Sequence, residues 1–330
     1  MQSNVFAYIL SLIAPNKIRF WAKIAVFAGL LAYIGHVLWQ QPFDWVVVQR
    51  QWRTVDDPAC WAMALLLLTP INWGFEALKW QLLIRRVEPV SLADAYQGVL
   101  AGLTLGFALP AQLGDTTGRV LSLRSAGRGA AVGASLVSGG MQFYVALVAG
   151  GLAWWQYLRV VPDRQTATSA WLLGLVLALS ALGIVFGLVR RPLLQGLANR
   201  PRLRRWSGYW TIAVAYSNAE LAKALVAATL RYAVFAGQFY LALRLTGIVL
   251  PVDLAVSGIG LVFLVKTITP AFNLLSDLGV REAAALWVFA PAGLPAPVLL
   301  TATLTLWLVN VLLPVLTGLL WVWRLKLTTA

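Results

Sequence analysis

The sequence is short of almost everything from which catalytic and metal-binding sites are built. In 330 residues it has one cysteine, Cys60, one histidine, His36, and 12 acidic side chains. A lone cysteine excludes an intramolecular disulfide, and a lone histidine excludes a histidine-rich metal site. No GxxxxGKS/T, HExxH or CxxC motif occurs, and no DxxxD cluster that would hold magnesium against a diphosphate. Charge is scarce too: 12% of residues are charged, against about 25% in a soluble domain. What fills the chain instead is apolar. Hydrophobic residues make up 60%, tryptophans number 16, and the mean hydropathy is +0.77. A soluble globular protein is excluded, and a polytopic membrane protein is indicated. The 26 basic residues exceed the acidic ones by 14, an excess that in a membrane protein reads first as topology and anionic lipid, and only then as nucleic acid.

Segments long enough to cross about 30 Å of hydrocarbon run from Phe20 to Trp39, Trp61 to Ile84, Ala130 to Trp155, Trp171 to Val189, Thr211 to Leu243 and Val298 to Trp323. The first has no small-residue cleavage site and reads as a retained helix. Two other apolar segments are short and interrupted. Gln97 to Leu109 meets Pro110, Leu254 to Thr269 meets Pro270, and each is followed by a polar Gly/Asp stretch and a second short helix, Asp115 to Leu123 and Arg281 to Ala290. Short apolar arms joined at a proline predict re-entrant hairpins.

Lysine and arginine counting supports two such hairpins. If each returns to the face it came from, one side carries 15 basic residues, among them Arg85, Arg86, Arg124, Arg190 and Arg191, and the other carries 5: Arg50, Arg53, Arg159, Arg164 and Arg244. A single crossing in place of the first hairpin would export the six arginines between 190 and 205, against the positive-inside rule. Both termini are therefore expected in the cytoplasm, across a bacterial inner membrane.

Three crossings per half is an odd number, so the second half must be inverted relative to the first. The expectation is one membrane domain over 1–330, all α-helical, with a first repeat 1–160 (hairpin 92–125) and a second repeat 161–330 (hairpin 254–291). The residues agree: Pro110, Gly114, Asp115 and Arg119 correspond to Pro270, Gly279, Asp277 and Arg281, with an offset of 160 for the prolines and 162 for Asp and Arg. Opposed broken helices at the midplane are transporter architecture.

Asp115, Arg119, Asp277, Arg281 and Glu282 fall near the expected bends, where a charge needs a partner or water. They are candidates to meet a lipid headgroup; the plainer reading is that each Asp caps its helix and pairs with the Arg four residues on. Glu76 and Lys79 share a face of the second span with Asn72. Arg231 lies within Thr211 to Leu243 with Gln238 seven residues on. This group either lines a cavity or makes an interhelical ion pair, Glu76 with Arg231. Lys266 precedes Pro270 by four residues and either snorkels outward or contacts an anion. Gly98, Gly102 and Gly106 form GxxxGxxxG and are read as helix packing. Trp39, Trp61, Trp154, Trp155 and Trp171 mark one membrane boundary, and Trp21, Trp206, Trp210, Trp321 and Trp323 the other, as anchors without a stacking role.

The runs FALPAQLGDTTGRVLSL (107–123), EALKWQLLI (76–84) and TPAFNLLSDLGVREAAAL (269–286) resemble the transmembrane region of lysylphosphatidylglycerol synthases and their stand-alone relatives. The likeness covers most of the chain in order. It implies a flippase module that moves a charged lipid between leaflets, with Pro110, Gly114, Arg119, Pro270, Gly279 and Glu282 matching the family pattern, Asp115 standing where Glu is more usual, and 273–277 replacing a glycine-rich stretch. It also implies that this chain, lacking the soluble aminoacyltransferase domain, performs no lysyl transfer.

The reading is thus a lipid flippase whose partner is a membrane lipid with an anionic or zwitterionic headgroup, without cofactor, metal or nucleic acid. Two alternatives stand beside it: a membrane-embedded lipid-modifying transferase using Glu282 or Asp115 as base, and a non-transporting partner of a lipid synthase or glycosyltransferase. The topology is testable by thiol labelling in a Cys60→Ser background. Cysteines at Gln41 and Gln165 are expected to react with an impermeant external reagent, and those at Gln195 and Asn199 only after permeabilisation; external labelling at 195 or 199 refutes the two-hairpin arrangement.

Overall fold

A computed structural model describes residues 44–108, 111–124, 127–198, 200, 207–269 and 277–324, together with His36 and Trp39. Apart from those two residues, the expected span from Phe20 to Trp39 lies outside the described residues, as do Pro110 and Pro270. The described residues form helices and no strand. Helix α1 (Trp45–Trp52) is capped by Asp44, whose carboxylate accepts from the Val46 N–H at 2.8 Å. It leads to α2 (Pro58–Ile84), which starts on a proline, a residue whose missing N–H costs nothing in a first turn. Then come α3 (Leu92–Ala108), α4 (Ala111–Leu121), α5 (Arg128–Val160), α6 (Ala167–Ala198), α7 (Ser207–Ala215), α8 (Asn218–Leu245), α9 (Val252–Ile268), α10 (Asp277–Phe289), α11 (Ala296–Trp307), a π-helical turn (Leu308–Leu312) and α12 (Leu313–Arg324).

Five of the six expected spans coincide with helices long and apolar enough to cross a membrane: Pro58–Ile84, Arg128–Val160, Ala167–Leu197, Asn218–Leu245 and Ala296–Val322. Thr211 to Leu243 is corrected. It is two helices, because Ser217 adopts an extended backbone and forms a capping box with Glu220 that starts α8 afresh. Buried Tyr216 sits in the break, donating its hydroxyl to Leu83 O at 2.6 Å; burial pushes this phenol up, so it remains a donor.

Hydrogen bonds define two ends of the bundle. At one end Arg86 grips Glu220 with two bonds of 2.8 and 2.9 Å, Arg190 and Arg191 donate to Tyr216 O, and the Arg124 N–H donates to Glu88. At the other, Gln51 donates to Gly247 O, Tyr157 donates to Val288 O, and Arg164 and Arg244 lie over the rings of Trp287 and Trp61. Of the arginines that sequence counting assigns to the richer face, Arg86, Arg124, Arg190 and Arg191 gather at the first end, and Arg164 and Arg244 of the poorer face lie at the second.

Helices α3 and α4 form an antiparallel hairpin, and its glycines are the reason the arms come so close. A Cβ at Gly102 would stand 2.6 Å from Asp115 O, one at Gly98 would stand 2.6 Å from Ser122 Oγ, and one at Gly114 or Gly118 would collide with the backbone of Gly106 or Gly102. The GxxxGxxxG face therefore meets a complementary Gly114, Gly118, Ser122 face on its own partner arm. This corrects the expectation for Gly114, which lies inside α4 and not in the bend, and for Asp115, which is too deep in α4 to cap it. Gly279 likewise lies inside α10. The second pair, α9 and α10, packs together with Phe289 filling the space at Gly258. The hairpins are then exchanged between the halves of the chain: α3 packs on α12, with Thr104 donating to Val315 O at 3.0 Å, and α9 packs on α5, where Gly260 abuts Ala153. α2 and α8 pack on each other between them. α6 exposes apolar side chains such as Trp171, Leu182 and Leu188.

Gly118→Leu is expected to prise the first hairpin apart and destabilise the protein by about 1–3 kcal/mol or more, read as a lower Tm in detergent. Gly140→Leu, on α5 where an added Cβ has no neighbour within 4 Å, should leave Tm near the starting value; equal Tm for the two variants contradicts the close packing.

Candidate functional site

On α2 the polar residues Thr69, Asn72, Glu76 and Lys79 recur at steps of three and four, so they share one face. That face is turned into the bundle: Glu76 is 3% exposed and Lys79 1%. A carboxylate so buried needs cations close by. Three converge on it. Lys79 Nζ lies 2.8 Å from Glu76 Oε2, Arg119 Nη2 from α4 lies 2.9 Å from Oε1, and Arg231 Nη1 from α8 lies 3.3 Å from Oε2. Arg119 also grips Asp115, one turn earlier on α4, with its Nε at 2.9 Å from Oδ1. Lys79 further donates to Gln142 Oε1 of α5 at 3.4 Å. Three cations against two carboxylates leave the cluster at +1. Arg119 Nη1 is buried with no hydrogen-bond partner among the described residues. The members with most surface are Asp115, whose side chain is 37% exposed, and Arg231, at 20%.

Aromatic rings carry the guanidinium faces. Arg119 lies over Trp80 and Arg231 over Trp73, 5.5 and 4.9 Å from the ring centroids. Trp73 is itself held by the π-turn, through an Nε1–H donated to Asn310 O at 3.2 Å. That carbonyl is free to accept because the residue four places on is Pro314, which has no N–H to return to it. Asn310 also accepts, at its side-chain oxygen, from Asn72 Nδ2 at 2.9 Å. A proline on α12 thus fixes a tryptophan on α2, which in turn seats an arginine from α8.

Of the residues singled out from sequence, Glu76, Lys79, Asp115, Arg119 and Arg231 come together in this cluster, including the anticipated Glu76–Arg231 pair and the Asp115–Arg119 brace. The others belong to the second hairpin. Arg281, 1% exposed, donates to neighbouring Glu282 at 3.0 Å. Asp277 begins α10, its side chain outside what is described, and Lys266 is half-buried in the last turn of α9. Gln142, Trp73, Trp80 and Asn310 went unnoticed. Nothing in a single sequence marks a mid-span glutamine on α5 or separates a buried tryptophan from a belt anchor, although Asn310 four residues before Pro314 was a legible signal. The belt residues Trp61 and Trp155 do have a stacking role, under Arg244 and Arg159.

A family model described as the lysylphosphatidylglycerol synthase TM region matches residues 20–318. No curated protein matches the chain.

Removing Glu76 alone should deprive Lys79 and Arg231 of their shared carboxylate and leave Arg119 with Asp115. Glu76→Gln is expected to destabilise the protein by about 3–5 kcal/mol, and Glu76→Gln combined with Lys79→Met, which restores the cluster to +1, to recover a large part of that loss. Thermal unfolding in detergent measures both; a single variant as stable as the starting protein contradicts the role of Glu76 as shared counter-ion.

Proposed function

Because the chain belongs to the lysylphosphatidylglycerol synthase transmembrane-region family, we propose that it is a lipid flippase, moving a phospholipid or lipid-linked headgroup between leaflets of a bacterial inner membrane with both termini in the cytoplasm. The observation that carries this reading is the Glu76 cluster. A +1 group of cations held inside an apolar bundle, with a guanidinium nitrogen left over, is what a phosphate needs in order to leave water. Guanidinium bonds to phosphate are charge-assisted and strong, and ionisable groups at membrane depth line pathways by default.

The arrangement of the hairpins supports the same reading. The outer ends of α3 and α4 lie at the Arg86 end of the bundle, where Gln81 donates to Val90 O and the Arg124 N–H to Glu88. Those of α9 and α10 lie at the opposite end, beside Gly247 and Tyr157. With α3 packed on α12 and α9 on α5, this favours six crossings and two re-entrant hairpins in inverted-topology repeats. On that basis a headgroup passes along the α2–α8 seam while its acyl chains remain in the bilayer.

The test is reconstitution in liposomes with a fluorescent phosphatidylglycerol and an impermeant quencher. Protein-dependent loss of the protected inner-leaflet signal is expected, slowed about tenfold or more by Arg119→Gln, which removes a charge-assisted contact to phosphate. Chemical conversion of the lipid would indicate the transferase reading instead. A protected signal unchanged by the protein for every anionic lipid tried refutes transport.

A further inference from the structure

Among the described residues the buried cations Lys79, Arg119 and Arg281 each contact a carboxylate. Arg190 does not. It lies near the end of α6, 6% exposed, and its guanidinium meets only neutral groups: Nη1 donates to Gly187 O at 2.7 Å and Nη2 to Tyr216 O at 2.9 Å. Arg191 donates to the same Tyr216 O. The two Nη2 atoms are 2.9 and 3.1 Å from one oxygen, and hence within 6.0 Å of each other. Arg190 Nε is buried and has no hydrogen-bond partner among the described residues. A carbonyl satisfies an N–H without neutralising its charge, so two guanidinia this close repel one another unless an anion joins them.

The chain supplies no such anion. Of its 12 acidic residues, Glu88, Asp94 and Glu220 stand at this end of the bundle. Glu220 grips Arg86 and accepts from the Ser217 N–H, Glu88 accepts from the Arg124 N–H, and Asp94 accepts from the Ser91 hydroxyl. The remaining acids lie at the opposite end, in the Glu76 cluster or on the second hairpin. Neither Arg190 nor Arg191 makes an ion pair among the described residues. Their counter-ion is therefore to be sought outside the protein.

The position of the pair says where it comes from. At 1.5 Å per residue Arg190 lies about 29 Å along α6 from Trp171, close to the thickness of the hydrocarbon, about 30 Å. With Trp171 in one interface, the two arginines stand at the phosphate level of the other. Around them on α6, Leu188, Val189 and Leu193 are 73%, 43% and 43% exposed, so acyl chains and phosphates meet at this place. We infer that Arg190 and Arg191 seat the phosphate of an anionic phospholipid from the leaflet at the Arg86 end of the bundle. Exposed Arg191 receives the phosphate, which also neutralises Arg190 beside it. A zwitterionic headgroup brings a further cation to a place that already holds two, and binds less well. Tyr216, whose carbonyl holds both arginines, donates its hydroxyl to Leu83 O, so the seated lipid is tied through one residue to the end of α2. This seat lies on neither hairpin and does not depend on the flippase reading.

The experiment is titration of the full chain, purified in a neutral detergent and freed of bound lipid, with phosphatidylglycerol, phosphatidylcholine or inorganic phosphate. Native mass spectrometry reads retained lipid, and thermal unfolding reads Tm. Phosphatidylglycerol is expected to bind and to raise Tm. Arg191→Gln should weaken that binding about tenfold, whereas Arg85→Gln, which removes an exposed charge at the same end, should leave it nearly unchanged. The comparison is repeated in an Arg119→Gln background, so that lipid at the Glu76 cluster does not hide the loss. Arg190→Gln should match Arg191→Gln; if it fails to accumulate, the exposed Arg191 decides. Equal effects of Arg191→Gln and Arg85→Gln, or no effect of either, overturn the seat. Phosphatidylcholine binding as tightly as phosphatidylglycerol, or inorganic phosphate raising Tm as far, overturns an anionic lipid as its occupant. None of these outcomes bears on transport, which the liposome assay tests separately.

Discussion

The carboxylate of Glu76 is the interaction on which the arrangement of the first half depends. A cation inside a bundle that contacts hydrocarbon on its outside is expensive to keep, and three would be untenable without a shared counter-ion. Lys79, Arg119 and Arg231 come from α2, α4 and α8 and meet at this one side chain. Glu76 therefore fixes more than a local pair: it ties the second arm of the first hairpin to the helix pair at the centre of the molecule. The aromatic rings of Trp73 and Trp80 add attraction to the guanidinium faces without adding further negative charge.

That tie holds only because the hairpin arms are thin where they meet. Apolar burial gives little force between helices in lipid, since acyl chains are as apolar as leucine, so close backbone approach and polar contacts must do the joining. Gly102, Gly106, Gly114 and Gly118 let α4 lie against α3, which places Arg119 within reach of Glu76. At the far end of α3, Thr104 bonds to Val315 on α12. The same α12 carries Pro314, whose missing N–H leaves Asn310 O to hold Trp73. Helix packing and site chemistry are thus one network, in which a glycine on α4 and a proline on α12 both act on the geometry around a single carboxylate.

Much of this was legible in the sequence, for identifiable reasons. Spans are read from apolar length, a signal that survives any packing arrangement, and the described ones are helices; Thr211 to Leu243 differs because length alone passes over the polar Ser217, Asn218 and Glu220, whose Ser-x-x-Glu spacing is the capping-box signature that starts α8. The Glu76–Arg231 pair was foreseeable because few acids exist to neutralise so many buried bases. Helix starts were less legible. Ala111 and Gln112 begin α4 before the polar stretch that in sequence marks the bend, so Gly114 and Asp115 read as tip residues although they lie within the helix. The convergence of Arg119 on Glu76 was also hidden. The two lie 43 residues apart, and no periodicity relates them.

The chemistry of the cluster bears on how a translocator avoids trapping its cargo. A bare pocket of three buried cations would bind phosphate strongly and release it slowly, whereas passage requires binding favourable enough to enter and weak enough to leave, as in ion conduction. Under the flippase reading, Glu76 solves this by acting as an internal competitor. A phosphate arriving at Arg119 exchanges with, or sits beside, a carboxylate that already satisfies most of the cations, so one anion largely replaces another and the net gain is small. The residual +1 biases the exchange toward the headgroup, and Asp115, half-exposed beside Arg119, offers that arginine an alternative partner as the phosphate departs. On this argument the carboxylates are as necessary to transport as the arginines, because the site works by keeping its affinity low.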